Sequence, residues 1–194
     1  MPADTVRATL RVAEILESLQ VPFFVGGSIA GNVLGEIRST KDVDFVADLR
    51  EIHAQPLIEA MRGEFYVPVD MVHECIRERR IFNVIYLPDH FKVDFFPMRD
   101  TVFAREEMSR RMRVFFFRDP ERTIPIATPE DLILSKLDWY RKGRGASDLQ
   151  WRDVMGVLKV HGESLDRGYM SKMGITLGVS DLLVRALEEA GLKG

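Results

Sequence analysis

A single cysteine, Cys75, stands among 194 residues, so no internal disulfide can staple the chain, and a reducing compartment is expected. No apolar run approaches the roughly 20 residues a membrane helix needs, and the N-terminus, with Asp4 early, lacks the uninterrupted apolar segment of a signal peptide. The expectation is a cytoplasmic protein that makes no membrane contact. Net charge is only −3 and the sequence pI about 5.9, so no global field draws in a polyanion and any nucleic-acid contact needs a local patch. The four histidines, His53, His73, His90 and His161, show no zinc-type pairing. A G-x-x-x-x-G-K-[ST] loop and a G-x-S-x-G frame are both missing, which sets aside P-loop NTPases and the common serine hydrolases as first readings. With 46% hydrophobic and 29% charged residues, nothing in the chain resembles a disordered or low-complexity segment.

What is present alternates between helix and strand signals. Leu10, Ala13, Leu16 and Leu19 recur at helical spacing over residues 6 to 19, with charges between them. Phe23 to Val25 is a short β-type run halted by Gly26 and Gly27, and Ser28 is placed to cap a helix ending near Gly35. A second strand, Val43 to Ala47, precedes a helix over Ile52 to Met61. Ile81 to Leu87 and Phe91 to Phe96 flank the turn residues Pro88, Asp89 and His90, which predicts a hairpin. Arg111 to Phe117 and Thr123 to Ile126 complete a β-rich middle. Thr128-Pro129-Glu130-Asp131 then starts a helix with a capping hydroxyl, a proline at the first helical position and acids in the first turn. Further helices are expected near 148 to 160, 166 to 174 and 181 to 190. The pattern predicts an α/β part over residues 1–127 and a helical part over 128–194.

The chemistry concentrates in two short stretches. Asp42 and Asp44 sit two residues apart on a strand, so both project from one face while Val43 and Phe45 point into the core. Two carboxylates that close repel, and one tends to protonate; a bound Mg²⁺ or Mn²⁺ keeps both ionised. Mg²⁺ is held by only one or two carboxylates, which leaves room for water and a substrate phosphate. The competing reading makes them surface acids at a strand mouth, paired with Lys41 or Arg38. Upstream, Gly26-Gly27-Ser28 ends a strand and opens a helix, offering backbone N–H groups and a helix dipole to phosphate. A tight turn with no ligand explains the same three residues.

The segment GGSIAGNVLGEIRSTKDVD, Gly26 to Asp44, resembles the signature of the nucleotidyltransferase superfamily related to DNA polymerase β, in which such a turn precedes a D-x-D pair and a third carboxylate lies on a later strand. Asp94, alone in the apolar run Lys92-Val93-Asp94-Phe95-Phe96, is the third acid; its bland reading is an edge residue paired with Lys92 or Arg99. TPEDLILSKLDWYRKG, Thr128 to Gly143, with QWRDVMGVL, Gln150 to Leu158, resembles the later motifs of AbiEii-type nucleotidyltransferases, the toxin halves of toxin-antitoxin and abortive-infection systems. The resemblance implies a nucleotidyltransferase-like mixed sheet with flanking helices. It further implies metal-dependent transfer of a nucleoside monophosphate from an NTP to a hydroxyl acceptor: RNA, a protein or a small molecule. Asp42, Asp44 and Asp94 become catalytic and metal-binding, with Mg²⁺ or Mn²⁺ as cofactor. Gly26, Gly27, Ser28, Lys136 and Asp153 become nucleotide-binding, and a cognate antitoxin becomes a partner. Lys136 as a flank lysine with its stem along the helix, and Asp153 as the partner of an arginine, are the structural readings of those two. The alternative function is a nucleotide- or protein-binding module that turns nothing over.

Arg105, Arg110, Arg111, Arg113, Arg118 and Arg122 surround Phe115-Phe116-Phe117, a mixture that suits single-stranded nucleic acid. Alternation along a strand with one buried face explains most of it, and nearby acids dilute the charge.

Overall fold

The computed structural model describes residues 3–35, 39–115, 122–144 and 148–192. In chain order the elements are α1 (Ala3–Ser18), β1 (Phe23–Val25), α2 (Gly27–Leu34), β2 (Asp42–Ala47), α3 (Glu51–Met61), β3 (Phe65–Tyr66), α4 (Val69–Arg77), β4 (Phe82–Tyr86), β5 (Phe91–Pro97), α5 (Val102–Arg110), β6 (Met112–Phe115), β7 (Thr123–Ile126), α6 (Pro129–Lys142), α7 (Asp148–His161), α8 (Arg167–Leu177) and α9 (Ser180–Glu189). They fall into two compact units. One comprises Met1–Gly26, Ser39–Asp100 and Arg111–Ile126, the other Gly27–Arg38, Thr101–Arg110 and Ala127–Gly194.

The first unit holds the α/β sheet, seven strands among the described residues in the order β3-β4-β5-β2-β1-β7-β6. β2 runs parallel to β5 and β1 parallel to β7, while the remaining neighbours are antiparallel. The β4–β5 hairpin closes on Pro88, Asp89 and a His90 held at φ 50. On one sheet face Val43, Phe45, Val93 and Phe95 are fully buried. A row of rings crosses four strands there, Phe23 to Phe45 at 5.7 Å, Phe45 to Phe95 at 5.9 Å and Phe95 to Phe82 at 5.0 Å. Helix α1 packs on β2, β5 and α3, and α4 on α3 and β4. Phe95→Ala opens a cavity at the middle of this row and is expected to cost about 3–5 kcal/mol, read as the loss in unfolding free energy by urea titration.

Local rules explain several boundaries. Helix α2 spans Gly27–Leu34, and the chain enters it through Gly27 at φ 53, a left-handed conformation that glycine adopts without a Cβ penalty. Ser28 is the next residue of the helix. Strand β6 does not have the one buried face that alternation implied: Met112, Arg113 and Phe115 are exposed and Val114 only half-buried, since β6 is an edge strand with a single neighbour. The rest of that run, residues 116–121 and with them Phe116, Phe117 and Arg118, lies outside the described residues.

In the second unit α2 packs on α6 and α7, and α5 on α8. Just past α2, a Cβ on Gly35 would stand 3.1 Å from the backbone of Gly156 and Val157, so a larger residue there would have to push α7 back by a few tenths of an ångström. Residue 127 is one of several points at which the chain passes between the units, and α2 and α5 group with the later helices.

Candidate active site

The carboxylate patch is built by the parallel pairing of β2 with β5. That register sets Asp42 against Lys92 and Asp44 against Asp94. Register partners share a face, as do residues two apart, so all four side chains project from the side of the sheet opposite the phenylalanine row. The third acid thus stands beside the D-x-D pair. Lys92 Nζ lies 2.7 Å from Asp94 Oδ2 and 3.7 Å from Asp42 Oδ2. Thr40 donates its hydroxyl to Asp42 Oδ1 at 3.0 Å. The hydrogen bond to Asp94, followed by the charges of Asp94, Asp42 and Asp44, holds the Lys92 ammonium above the ordinary lysine range in spite of partial burial. Lys92 entered the sequence reading only as a bland partner for Asp94. Its K-x-D spacing, which puts both side chains on one strand face, was the available signal. Of the two partners considered for Asp42 and Asp44, Lys41 and Arg38, the latter lies outside the described residues.

The glycine turn is tied to this patch through its first residue, for Gly26 N–H donates to Asp44 O at 2.9 Å. That amide extends the sheet and is already engaged by a backbone carbonyl. The chain enters the second unit at Gly27, where Gly27 and Ser28 form the first residues of α2.

Lys136 and Asp153 face each other within the second unit. Lys136 Nζ lies 2.7 Å from Asp153 Oδ2 and 3.3 Å from Gln150 Oε1, and the two side chains retain 5% and 9% of their exposure. The ammonium is buried, not carried out to solvent along the helix flank, and its stem passes 4.0 Å from the Cβ position of Gly31 on α2.

A second polar network in this unit begins at the Thr128 cap that the sequence predicts and extends beyond it. Thr128 caps α6 by accepting from Asp131 N at 3.3 Å, and donates its hydroxyl to Asp131 Oδ2 at 2.6 Å. Tyr169 donates to Asp131 Oδ1 at 2.5 Å, and the Arg110 guanidinium stacks 3.8 Å over the Tyr169 ring. Ser135 donates to Glu107 Oε1 at 2.9 Å. Burial pushes the Glu107 carboxyl up from 4.5 to about 8, with Asp131 adding to the shift and the Ser135 bond opposing it. Burial moves Asp131 in the same direction.

Glu107 therefore keeps its proton in the folded chain over a range in which the unfolded chain has lost it. Its stabilising contribution is complete below about pH 4.5 and is lost as pH rises through about 8. Glu107→Gln is expected to flatten the decline of stability across that window, by up to about 1.4 kcal/mol per pH unit, as measured by urea unfolding at a series of pH values.

The arginines around Phe115 are occupied locally where they are described. Arg113 pairs with Glu17 at 3.1 Å, Arg122 with Glu14 at 2.5 Å, and Arg110 with Glu130 at 3.5 Å.

The donor chemistry of the patch, carboxylate oxygens only, fits a hard ion such as Mg²⁺. Among the described residues, however, no group of three or more His, Cys, Asp or Glu side chains is disposed to hold a metal ion, and Lys92 lies between Asp42 and Asp94.

Comparison with known proteins gives the architecture its class. No family model matches the chain, and no curated protein matches it in sequence. Solved structures do match. An antigenic nucleotidyltransferase-like protein from Paracoccidioides brasiliensis superposes with a TM-score of 0.57 at 15% identity, covering 97% of this chain and 94% of that one. The antibiotic-resistance factor ANT(2'')-Ia gives 0.57 at 11% identity, with 97% of each chain covered. The lincosamide antibiotic adenylyltransferase LnuA, solved with lincomycin bound, gives 0.52 at 12% identity over 79% of this chain and 96% of its own. The chain has the nucleotidyltransferase-like fold. Among the described residues no helix is long and apolar enough to cross a membrane.

Proposed function

We propose that the protein is a metal-dependent nucleotidyltransferase that moves a nucleoside monophosphate from an NTP to a hydroxyl acceptor. The observation that carries this reading is the register of β2 with β5, which lines up Asp44 with Asp94 and adds Asp42 on the same face. Such a cluster of like charges is unfavourable in a sheet without a cation. Asp42, Asp44 and Asp94 are the residues that would hold Mg²⁺ or Mn²⁺. A divalent ion held there would neutralise phosphate charge and make the acceptor hydroxyl more acidic. Asp94, the most enclosed of the trio at 9% exposure, is the carboxylate proposed to accept that hydroxyl's proton. In-line transfer asks the protein mainly for positioning and charge neutralisation. In the second unit, Gly27, Ser28, Lys136 and Asp153 are the proposed nucleotide contacts, and each is testable by its own substitution.

For the acceptor, we favour a small molecule. ANT(2'')-Ia and LnuA are linked to antibiotics, and this chain covers 97% and 96% of their lengths. The net charge of −3 provides no general attraction for RNA. The experiment is incubation with each labelled NTP and Mg²⁺ in the presence of small hydroxylated compounds, total RNA and total protein, following pyrophosphate release and label. Label in the small-molecule fraction supports the reading. Label in RNA or protein would move the protein toward a toxin-like role, with a cognate antitoxin to be sought. Tight NTP binding without pyrophosphate release from any acceptor would make it a binding module.

A further inference from the structure

The ammonium inside the acidic patch calls for its own account. Three carboxylates on one sheet face need a counter-charge whenever no metal is present, and Lys92 is fixed to the same face by its position opposite Asp42 and two residues from Asp94. Its contacts, 2.7 Å to Asp94 and 3.7 Å to Asp42, place one positive charge on two of the three acids. The burial gradient gives a direction. The Asp94 side chain is 13% exposed, while those of Lys92 and Asp42 are 42% and 38% exposed. The ammonium thus reaches in from the solvent side and can leave without disturbing the strand. A lysine suits that role better than an arginine, since its compact charge sits on a flexible four-carbon stem with no bidentate fork to break.

We propose that Lys92 is the resident counter-ion of the carboxylate patch, that a divalent cation must displace it to bind, and that the released ammonium pairs with the phosphates of the nucleotide. This rests on the nucleotidyltransferase reading and adds to it an order. Metal alone meets a competitor already in place, whereas metal arriving with a triphosphate supplies both a replacement for the ammonium and an anion to receive it. Metal and nucleotide affinities are thereby coupled through one side chain.

Mn²⁺ binding without nucleotide, followed by the paramagnetic resonance of the free ion, tests the first half on wild-type protein, Lys92→Gln and Lys92→Arg. Lys92→Gln is expected to bind Mn²⁺ at least about tenfold more tightly, the scale of one nearby charge removed at a half-exposed site, with Lys92→Arg at or below wild type. Displacement of a fluorescent ATP analogue at saturating Mn²⁺ tests the second half, where Lys92→Gln should bind ATP several-fold more weakly. Opposite shifts in the two affinities are a signature that simple loss of structure would not give. Equal or weaker Mn²⁺ binding by Lys92→Gln overturns the displacement, and unchanged ATP binding overturns the handover to phosphate. If neither wild type nor Lys92→Gln binds Mn²⁺, with or without ATP, the nucleotidyltransferase reading falls together with this one.

Discussion

Replacing Asp44 by asparagine is expected to abolish nucleotide transfer, by at least about a thousandfold in kcat/KM, while leaving the protein as stable as before or slightly more so. The activity loss follows from removing a charge that would hold the metal and, through it, the phosphates, where single electrostatic contributions are already worth factors of a hundred to a thousand. The stability gain follows from the ladder. Asp44 is set directly against Asp94 across two parallel strands, and like charges directly opposite are destabilising. The amide keeps the size of the side chain and leaves Gly26 N–H bonded to the Asp44 carbonyl, a backbone contact. Pyrophosphate release and thermal unfolding on the same sample check both halves. Wild-type activity in this variant would refute the site, and unfolding would show that Asp44 acts by holding the sheet together.

The second large effect is expected at Lys136. Lys136→Met preserves the volume of the stem but takes the ammonium from a carboxylate that is 9% exposed. Breaking a buried pair from one side costs about 3–5 kcal/mol, while replacing both members by apolar groups is often close to neutral. Lys136→Met combined with Asp153→Leu is therefore expected to recover most of the stability lost in the single variant, as a double-mutant cycle in urea would show. The recovered protein also isolates the proposed nucleotide contact. ATP binding that stays weak after the fold is restored assigns Lys136 to the nucleotide, and ATP binding that returns with stability makes the pair a structural bridge.

Much of the sheet and the order of its acids could be read from the sequence because the relevant signals are local. Alternation put Asp42 and Asp44 on one face, the Pro88-Asp89-His90 turn announced the hairpin, and Thr128-Pro129 marked the start of α6, where the structure shows the expected cap. What local signals lack is register between distant strands. Nothing near Asp44 encodes that Asp94, fifty positions later in the numbering, will be its neighbour, nor that Lys92 will share the patch. Other elements were missed although a signal existed. In α4, Val72, Cys75 and Ile76 recur at intervals of three and one and are all buried, the stripe of an amphipathic helix. In α5, a core-facing glutamate masks the apolar face, with Glu107 buried beside Phe103 and Met108. Strand β3 has only two residues, Phe65 and Tyr66, too few for any period to register. Edge position likewise follows from strand order, so the exposure of β6 was invisible to a rule that assumes one covered face.

The discontinuous assignment of the chain to its units bears on how the molecule can be made and cut. Segments from before residue 39 and before residue 111 belong with helices that follow residue 126, so α2 and α5 leave the ribosome well ahead of α6, α7 and α8, on which they come to rest. A fragment ending at residue 127 would strand Ile29, Leu34, Phe103 and Met108, all buried in the whole protein, in water. Such a product would carry sticky surface and invite chaperones or proteases. A nick near residue 127 should therefore leave two pieces that stay together until denaturant is added.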